Sequence, residues 1–561
     1  MVSIEPAERR IPIQPDFPVT WEEPGDEQQF WTMDLMHFPR AVLPLEEAAI
    51  RLMYNRGLDT TGAALDMPIR LVVRRFGGYH YQAIVPRGAG PEEMEALGAS
   101  FERKIGAAMA SLRQDWENRY LPEVRQLVES SAALDYEAAD LAKQAEYLNT
   151  VIERSARLWV IHFLLVLPIH MARSLFEEFY REIFDESDPL KALRLLQGLD
   201  NLTLQMGREL WQLSRAVKAS PDVLAIFQTR APGEVVAALG DLAPGHAFLA
   251  DFHRWLEQWG YGSASLGITT PTWIENPTDV IRMLQDYLAR GDHDPAREQE
   301  QPAADREVAV AEARAKLENY PEPVREQFEA FLTMAQDANV IHEDHNHWID
   351  FRGNYELRRV ALATGRKLAA AGVLGSADDV EYLTLDELHE AAANPTGRDW
   401  RSLAAERATE MERYRALTPP AAIGSMPPGP PPDNALARTF GKFFGVPPQP
   451  STEADTIKGA AASAGTMVGP VKVLRSLADA DKLQQGDVMV VTTTTPPWTP
   501  LFNTAGAVVS DTGGMLSHCA VVAREYSIPA VVGTGVGTRV LHDGQLVEVD
   551  GTAGTVRIVS G

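Results

Sequence analysis

A proline-rich segment divides the sequence into two parts with different hydrophobic patterns, and this division constrains the fold more than any other feature. Residues 416–450 contain ten prolines, several glycines and no periodic apolar pattern. Segments of this composition are semi-rigid spacers, because proline fixes φ and lacks a backbone N–H group. We therefore predict three regions: residues 1–415, a linker at 416–450, and a second globular part at 451–561.

The first region has a predominantly helical pattern. Apolar residues recur at helical spacing through most of residues 91–415. Two β-prone runs, residues 69–73 and 79–85, flank Gly77-Gly78 and predict a β-hairpin. Residues 1–45 are rich in proline and aromatic residues, and we expect them to cover the core as an irregular segment. The prediction for residues 1–415 is a large, mainly α-helical domain with a small β-hairpin element.

The region after the linker has a different pattern, in which short β-branched runs alternate with glycine turns and one helix. The helix is expected at about 517–526. The predicted strands are 466–473, 487–491, 507–510, 530–532, 546–549 and 555–558. This alternation is typical of a small α/β domain, so the fold class predicted for the whole chain is multidomain α+β.

Charge and cysteine content limit the partners and the compartment. The formal net charge of −26 argues against nucleic acid and anionic membranes as partners, because both require a basic surface. The most apolar run, residues 158–172, is shorter than a membrane span and contains two histidines and a proline, so it predicts a buried core helix. With a single cysteine, Cys519, and no signal-peptide pattern, the chain is expected to be cytoplasmic.

The residues that indicate chemistry lie in the run DTGGMLSHCAVVAREYSIP, residues 511–529. Gly513 and Gly514 predict a tight turn, and Ser517 is a suitable N-cap for the helix that follows. His518 would then lie in the first helical turn, where unpaired backbone N–H groups and the helix dipole favour an anion. A neutral imidazole is a good nucleophile toward phosphorus, so this position suits a histidine that becomes phosphorylated.

The same run resembles the phosphohistidine signature of the PEP-utilising enzyme family, which carries this histidine on a swivelling domain. The resemblance extends over residues 459–558 through GAAASAGTMVGPVKVL, GDVMVV, TTPPWTP, DTGGMLSHCAVVAREYSIPAVVGTG and DGQLVEVDGTAGTV. It implies that residues 451–561 are a swivelling phosphohistidine domain in which His518 is phosphorylated. Gly513, Gly514, Ser517 and Arg524 would form the phosphate loop. Arg524 could neutralise a partner's phosphate or fix the helix through Glu525.

The first 415 residues show too little strand pattern and no glycine-rich loop for an ATP-grasp domain, so we expect Mg²⁺ and ATP to bind to a separate ATP-grasp subunit. This arrangement resembles the histidine-carrying subunit of phenylphosphate synthase and of the 4-methylphenol-phosphorylating enzyme. Looser motifs, among them FWTMDLMHFPRAVLPL, LWVIHF and PTWIENP, extend that likeness through residues 17–390. It implies that residues 1–415 bind a small phenolic substrate, which His518 phosphorylates to give an aryl phosphate. The alternatives are an antibiotic phosphotransferase of the rifampin (rifampicin) type, or a phosphohistidine regulatory protein.

A phenolic acceptor requires a base near its hydroxyl group, and the densest polar cluster is IHEDHNHWID, residues 341–350. His345 or His347 is the predicted base, and Asp344, Glu343 or Asp350 would orient it. No metal is assigned, although histidines and carboxylates at this spacing could also bind Zn²⁺ or Fe²⁺. A third interpretation is a purely structural polar helix.

Further candidates for substrate binding are a histidine beside His345, an arginine that could meet the phosphate, and two histidines with large apolar neighbours. His37 and His162, each with its large apolar neighbours, could line a slot for an aromatic ring, although histidines in such surroundings are often only hydrogen-bonded core residues. These candidates are His37, Trp31, His162, Trp159, His342 and Arg352.

Overall fold

The computed structural model describes residues 9–263, 265–289, 294–427, 429, 432–445, 455–495 and 498–560. The chain forms two compact units. Unit 1 comprises Met1–Pro168, Ser265–Thr270 and Trp348–Pro432, and unit 2 comprises Ile169–Ala264, Pro271–His347 and Asp433–Gly561. Each unit is therefore assembled from three stretches of chain. The boundaries at residues 415 and 451 stay a prediction, and parts of the linker (428, 430–431 and 446–450) and the start of the last region (451–454) lie outside the described residues.

The regular elements within the described residues follow in chain order. The strands are β1 Phe30–Met33, β2 Ile69–Phe76, β3 Tyr79–Pro86, β4 Ala422–Gly424, β5 Thr456–Lys458, β6 Ala460–Ser463, β7 Thr466–Leu474, β8 Val488–Val491, β9 Ala507–Ser510, β10 Ala530–Val532, β11 Leu546–Asp550 and β12 Thr555–Ser560. The α-helices are α1 Pro44–Arg51, α2 Asp59–Ala64, α3 Pro91–Ala110, α4 Leu112–Asp115, α5 Leu121–Ala132, α6 Leu141–Phe184, α7 Pro189–Leu193, α8 Leu202–Ala219, α9 Pro221–Thr229, α10 Pro232–Gly240, α11 Ala243–Trp259, α12 Thr278–Ala289, α13 Pro295–Leu317, α14 Glu322–His345, α15 Asn354–Ala370, α16 Leu385–Ala393, α17 Trp400–Arg415, α18 Ala435–Phe444, α19 Thr499–Phe502, α20 His518–Glu525 and α21 Gly537–Val540. Leu52–Leu58, Trp116–Tyr120 and Asn346–Gly353 are π-helical.

Unit 1 contains a four-stranded antiparallel sheet in the order β2-β3-β1-β4. The predicted hairpin is confirmed, and Gly77 and Gly78 form its turn with φ of 54° and 83°. The sequence did not predict β1 or β4, which pair through Trp31 and Ile423. Both strands are too short to show a period of two, and each is stabilised by a partner far away in the sequence.

The helical core of unit 1 forms where α6 packs against α15 and α16. Leu148, Val360 and Leu388 are fully buried in this cluster. The Gln144 side-chain amide donates to the Thr364 hydroxyl at 3.1 Å inside it. The helical prediction for this part of the chain is confirmed.

Among the described residues, one single helix, α6, is long and apolar enough to cross a membrane. The bent pair α10 and α11 meets the same criteria of length and apolar character only if the two helices are counted as one span. In the most apolar window of α6, 72% is buried inside the protein. Buried core helices of globular proteins pass this test as well, and the burial agrees with the core helix predicted for residues 158–172.

Unit 2 combines a helical part with the second sheet. Helices α8 to α12 share a core that includes Leu210, Phe252 and Leu284, all almost completely buried. The last turns of α6, together with α7, α13 and α14, form a second cluster around Phe176 and Phe328. Leu516, from the loop before α20, is buried in this second cluster.

The eight-stranded sheet of unit 2 has the order β5-β12-β11-β7-β8-β9-β10-β6. The four central strands β7, β8, β9 and β10 run parallel to one another, whereas β6 pairs antiparallel with β10, and β11, β12 and β5 pair antiparallel on the other side of β7. All six strands predicted for residues 466–558 are present, as is the helix after Ser517. Helix α20 packs on one face of the sheet through Cys519, Ala520 and Ala523, against Met489 and Val508.

The predicted linker contains regular structure where it is described. Residues 422–424 form β4 of unit 1, and residues 435–444 form α18 of unit 2. Helix α18 begins at an Asn434 N-cap, whose side chain accepts a hydrogen bond from the Ala437 N–H group at 2.9 Å. The surrounding prolines concealed this ten-residue helix, because they removed any longer periodic pattern.

Packing in unit 1 can be tested at Gly57, in the first π-helical segment. A Cβ atom at Gly57 would lie 2.7 Å from Cβ of Trp159 and 3.1 Å from its backbone. We expect Gly57→Ala to lower the free energy of unfolding by about 1–3 kcal/mol through overpacking. Chemical denaturation followed by circular dichroism measures the change. Gly98→Ala in α3 is the control, since a Cβ there meets open space and should stabilise by about 0.5 kcal/mol.

Candidate active site

His518 is the first residue of α20, and the local geometry predicted from its neighbours is confirmed. Ser517 is the N-cap in an extended conformation, and its carbonyl accepts the Val521 N–H group at 3.0 Å. Gly513 has φ of 92°, in the left-handed region that glycine tolerates best. The His518 side chain is 11% exposed, so its ring meets the protein on most sides.

Two polar groups face the two nitrogens of the His518 ring. Nδ1 lies 3.6 Å from Oε1 of Glu343, at the end of α14, and Nε2 lies 3.5 Å from the Thr499 hydroxyl. A carboxylate beside Nδ1 favours the tautomer that carries its proton on Nδ1, because the N–H group then points at the negative charge. The lone pair of a neutral ring in this tautomer is on Nε2.

Glu343 is a buried carboxylate held in its ionised form. Burial is the largest influence and by itself raises its pKa, but the neighbouring His518 and His342, with the Thr203 hydroxyl, more than offset this and lower the pKa to about 2. Thr203 donates to Oε2 at 2.8 Å, which orients the other oxygen toward His518. Glu343 therefore carries a fixed negative charge at neutral pH.

The histidines of residues 341–350 have different surroundings. The rings of His342 and His345 lie 5.7 Å apart, as their helical spacing predicts. Burial lowers the pKa of His342 well below its usual value, so this ring is neutral at pH 7. Nδ1 of the fully buried His345 lies 3.0 Å from the Ile341 carbonyl oxygen. The His347 ring packs edge-on against Trp259, with 5.0 Å between centroids.

The carboxylate that reaches His518 is Glu343, which sequence reasoning considered only as a residue that orients another histidine. Asp344, predicted to be catalytic, accepts the Leu202 N–H group at 2.9 Å at the start of α8. The assignment of His345 or His347 as acceptor base stays a prediction. Glu343 could not be recognised from the sequence, because its partners Thr203 and His518 come from distant segments.

Arg524, one of the residues predicted to form a phosphate loop, holds the backbone around His518. Arg524 is buried and donates to the carbonyl oxygens of Ala462 at 2.7 Å and Met515 at 2.9 Å, so it fixes the loop. Burial lowers the pKa of its guanidinium to about 9. Burial likewise raises the pKa of the Cys519 thiol to about 11, as expected for a small core residue rather than a nucleophile.

The remaining candidates lie in unit 1. Two of them, His37 and His162, each pair with a carboxylate. Nδ1 of His37 lies 2.9 Å from Oδ2 of the buried Asp34, and Nδ1 of His162 lies 2.9 Å from Oδ1 of Asp350. Burial tends to lower the pKa of His37, but the Asp34 charge outweighs it and raises that pKa. The Tyr54 hydroxyl also donates to Asp34, at 3.4 Å.

The aromatic neighbours of these histidines have mixed roles. The Trp159 ring lies 4.8 Å from the His162 ring, as sequence reasoning expected. Trp31 is instead a core residue of the sheet, since it is fully buried and its indole N–H group donates to the Asp26 carbonyl at 2.7 Å. Arg352 stacks on Trp348, with 4.7 Å between the guanidinium carbon and the ring centroid.

Comparison with known protein families finds two matches, both mostly within unit 2. The rifampicin phosphotransferase fourth domain matches residues 162–343, and the mobile domain of PEP-utilising enzymes matches residues 483–554. Glu343 is the last residue of the first match, and His518 lies within the second. The contact between them therefore joins the two matched domains.

Relatives with a recorded name include several phosphotransferases. The chondramide synthase CmdD of Chondromyces crocatus is 36% identical over 98% of this chain, which spans 14% of that protein. The uncharacterised phosphotransferase YvkC of Bacillus subtilis is 32% identical over 71% of the chain and 47% of its own length. A rifampicin phosphotransferase of Streptomyces is 31% identical over 65% of the chain and 41% of its own length. The chain thus spans less than half of each of these relatives.

The tautomer of His518 can be measured directly. We expect ¹⁵N-resolved NMR of the neutral ring to show the proton on Nδ1, because Glu343 is ionised there. Glu343→Gln should abolish this preference, since an amide can accept or donate, whereas Glu329→Gln, an exposed ion-pair residue on the same helix, should leave it unchanged. A wild-type ring protonated on Nε2 would contradict the assignment.

Proposed function

Because the chain carries a mobile domain of the PEP-utilising enzymes and a fourth domain of the rifampicin phosphotransferases, we propose that it is the phosphoryl-carrying and acceptor-binding part of a phosphotransferase. His518 receives a phosphoryl group and passes it to a hydroxyl group of a small organic acceptor. The observation that supports this proposal is the 3.6 Å separation between Nδ1 of His518 and Oε1 of Glu343 within unit 2, which favours the tautomer with its lone pair on Nε2.

In the first step, Nε2 of His518 attacks the phosphorus of the donor. A P–N bond forms as the P–O bond to the leaving group breaks, and the leaving oxygen keeps the electron pair. The donor is ATP with Mg²⁺, bound on an ATP-grasp protein or segment other than the described residues of this chain. The attacked phosphorus is the β-phosphorus, so AMP is the leaving group; water then cleaves the bond to the γ-phosphate, which leaves as inorganic phosphate while the β-phosphoryl group stays on His518. Nδ1 keeps its proton throughout, since Glu343 stabilises the charge that develops on the ring.

In the second step, the acceptor oxygen attacks the phosphorus of phospho-His518. The P–N bond breaks, its electron pair returns to Nε2, and the acceptor hydroxyl loses its proton to a base. His345 and His347 are the proposed bases, and the neutral His342 lies beside them. Phosphoryl transfer otherwise requires mainly positioning and charge neutralisation.

The acceptor is best sought among natural products with a free hydroxyl group. Relatives named for the phosphorylation of rifampicin and for the synthesis of chondramide support this class over a simple phenol. The phenolic substrate expected from the looser motifs of residues 17–390 becomes one arm of the test.

The proposal predicts an acid-labile phosphoryl group on His518. We expect the purified chain to acquire label from ATP labelled on the β-phosphate only when an ATP-grasp phosphotransferase domain is supplied. His518→Ala should abolish the label. Rifampicin should then discharge it, and 4-methylphenol serves as the phenol arm. Label that persists in His518→Ala would contradict the proposal, as would stable label with every acceptor in a natural-product and phenol panel.

A second prediction concerns Glu343. Glu343→Gln should slow discharge of phospho-His518 in single-turnover experiments by about 100-fold, because the ring loses the carboxylate that keeps Nδ1 protonated and a ring without that proton is a poorer leaving group. Glu329→Gln serves as the matched control and should discharge at the wild-type rate. Equal rates for all three proteins would show that Glu343 has no part in the transfer.

A further inference from the structure

Helix α18 directly contacts the phosphohistidine loop, residues 511–517, which leads from β9 to His518. The carbonyl oxygens of Lys442 and Phe443, in its last turn, accept the N–H groups of Leu516 and Gly514, each at 2.9 Å. Carbonyls at the end of a helix have no partner within it, so they are available for such bonds. Two residues of the phosphohistidine loop, Gly514 and Leu516, are thereby hydrogen-bonded to the end of α18.

Side chains of α18 are attached to α6 by ion pairs. Nζ of Lys442 lies 2.5 Å from Oε2 of Glu177 and 2.8 Å from Oε1 of Glu178, and Arg438 pairs with Glu178 at 3.1 Å. Glu177 is only 1% exposed, and its ion-pair partners are Lys442 and Arg181. Removing the cation from an ion pair with a buried carboxylate is destabilising, because the carboxylate is left as a buried charge with less compensation.

Apolar contacts reinforce this attachment. The ring of Phe443 packs on that of His170, with 4.0 Å between centroids, and the Thr439 hydroxyl meets the sulfur of Met171 at 3.3 Å. Residues one helical turn apart on α18 therefore face α6. The helix is fixed on one side to α6 and on the other to the loop.

The fit between α18 and the loop requires a glycine. A Cβ atom at Gly514 would lie 2.2 Å from the carbonyl oxygen of Lys442, although the backbone of Gly514 is not left-handed. The loop is held from its other side as well, because Arg524 donates to Met515 and Nη2 of Arg173 lies 3.5 Å from the Leu516 carbonyl oxygen. The position of His518 beside Glu343 thus depends on both sides of the loop.

We propose that α18 is a latch that holds the phosphohistidine loop in its position beside Glu343, with Lys442 as the positioning residue. The inference rests on the proposed function of His518 as a phosphoryl carrier. With the latch closed, His518 faces Glu343 and is ready to discharge. Opening it requires the ion pairs of Lys442 and Arg438 with Glu177 and Glu178 to break, which frees the loop to meet a donor.

The latch has a structural test that needs no donor or acceptor. Hydrogen–deuterium exchange of the full chain, followed by mass spectrometry, reports the amides of Gly514 and Leu516. We expect Lys442→Gln to raise their exchange rate about tenfold, because the buried charge of Glu177 loses a partner. The control is Lys482→Gln, whose ion pair with Asp479 lies in another part of unit 2 and should not affect the loop.

Gly514→Ala tests the same contact from the loop side. Its added Cβ displaces the Lys442 carbonyl while leaving the ion pairs intact, so the Leu516 amide should again exchange about tenfold faster. This variant also covers the case in which Lys442→Gln does not fold. Wild-type exchange in a folded Gly514→Ala protein, or in Lys442→Gln, would overturn the inference.

A chemical phosphorylation assay connects the latch with the carrier function. Phosphoramidate transfers its phosphoryl group to histidine and releases ammonia, so it reports access to His518 without ATP. We expect Lys442→Gln to take up phosphate several-fold faster than wild type. High salt should accelerate uptake by both proteins, because it screens the more exposed Arg438–Glu178 pair that both retain. Equal uptake in both proteins would contradict the latch. Faster loop exchange with no phosphorylation of His518 in any protein would instead contradict the proposed function.

Discussion

The approach of the Glu343 carboxylate to Nδ1 of His518, at 3.6 Å, is the interaction on which the proposed chemistry depends. A buried carboxylate stays ionised only if neighbouring groups compensate its charge. Around Glu343, the residues His518, His342 and Thr203 together outweigh burial and lower the pKa of the carboxyl group to about 2. The fixed charge favours the tautomer of His518 with its proton on Nδ1, and in the proposed chemistry this leaves Nε2 to react. Burial normally disfavours an ionised carboxylate, but it also lowers the local dielectric constant and so strengthens the effect of the Glu343 charge on the His518 ring.

The surrounding backbone is organised to keep that ring in place. The loop before His518 is bound by the end of α18 on one side and by Arg524 on the other, and Leu516 is anchored in the core formed by α6 and α14. Few of these contacts involve exposed groups, so solvent screens them weakly. A carrier histidine needs such a defined position for transfer and a way of leaving it for loading. In the proposed latch, the ion pairs of α18 meet both needs, because they hold the loop when formed and are replaced by hydration when broken.

Much of the fold could be predicted because it is encoded locally. The hairpin at Gly77-Gly78, the six strands of residues 466–558 and the helix after Ser517 all follow from short patterns of turn residues and β-branched runs. Strands β1 and β4, helix α18 and the role of Glu343 could not be predicted in this way. Each depends on a partner distant in the sequence, such as Ile423 for Trp31 or His518 for Glu343. Neighbouring residues carry no information about such pairs.

The most direct test of the central claim is to identify which ring nitrogen carries the phosphoryl group. ³¹P and ¹⁵N NMR of the protein charged on His518 distinguish the two phosphohistidine isomers. If Glu343 holds the proton on Nδ1, the phosphorus must be bonded to Nε2. A phosphoryl group on Nδ1 would contradict this account, because that nitrogen would then face an ionised carboxylate without its proton.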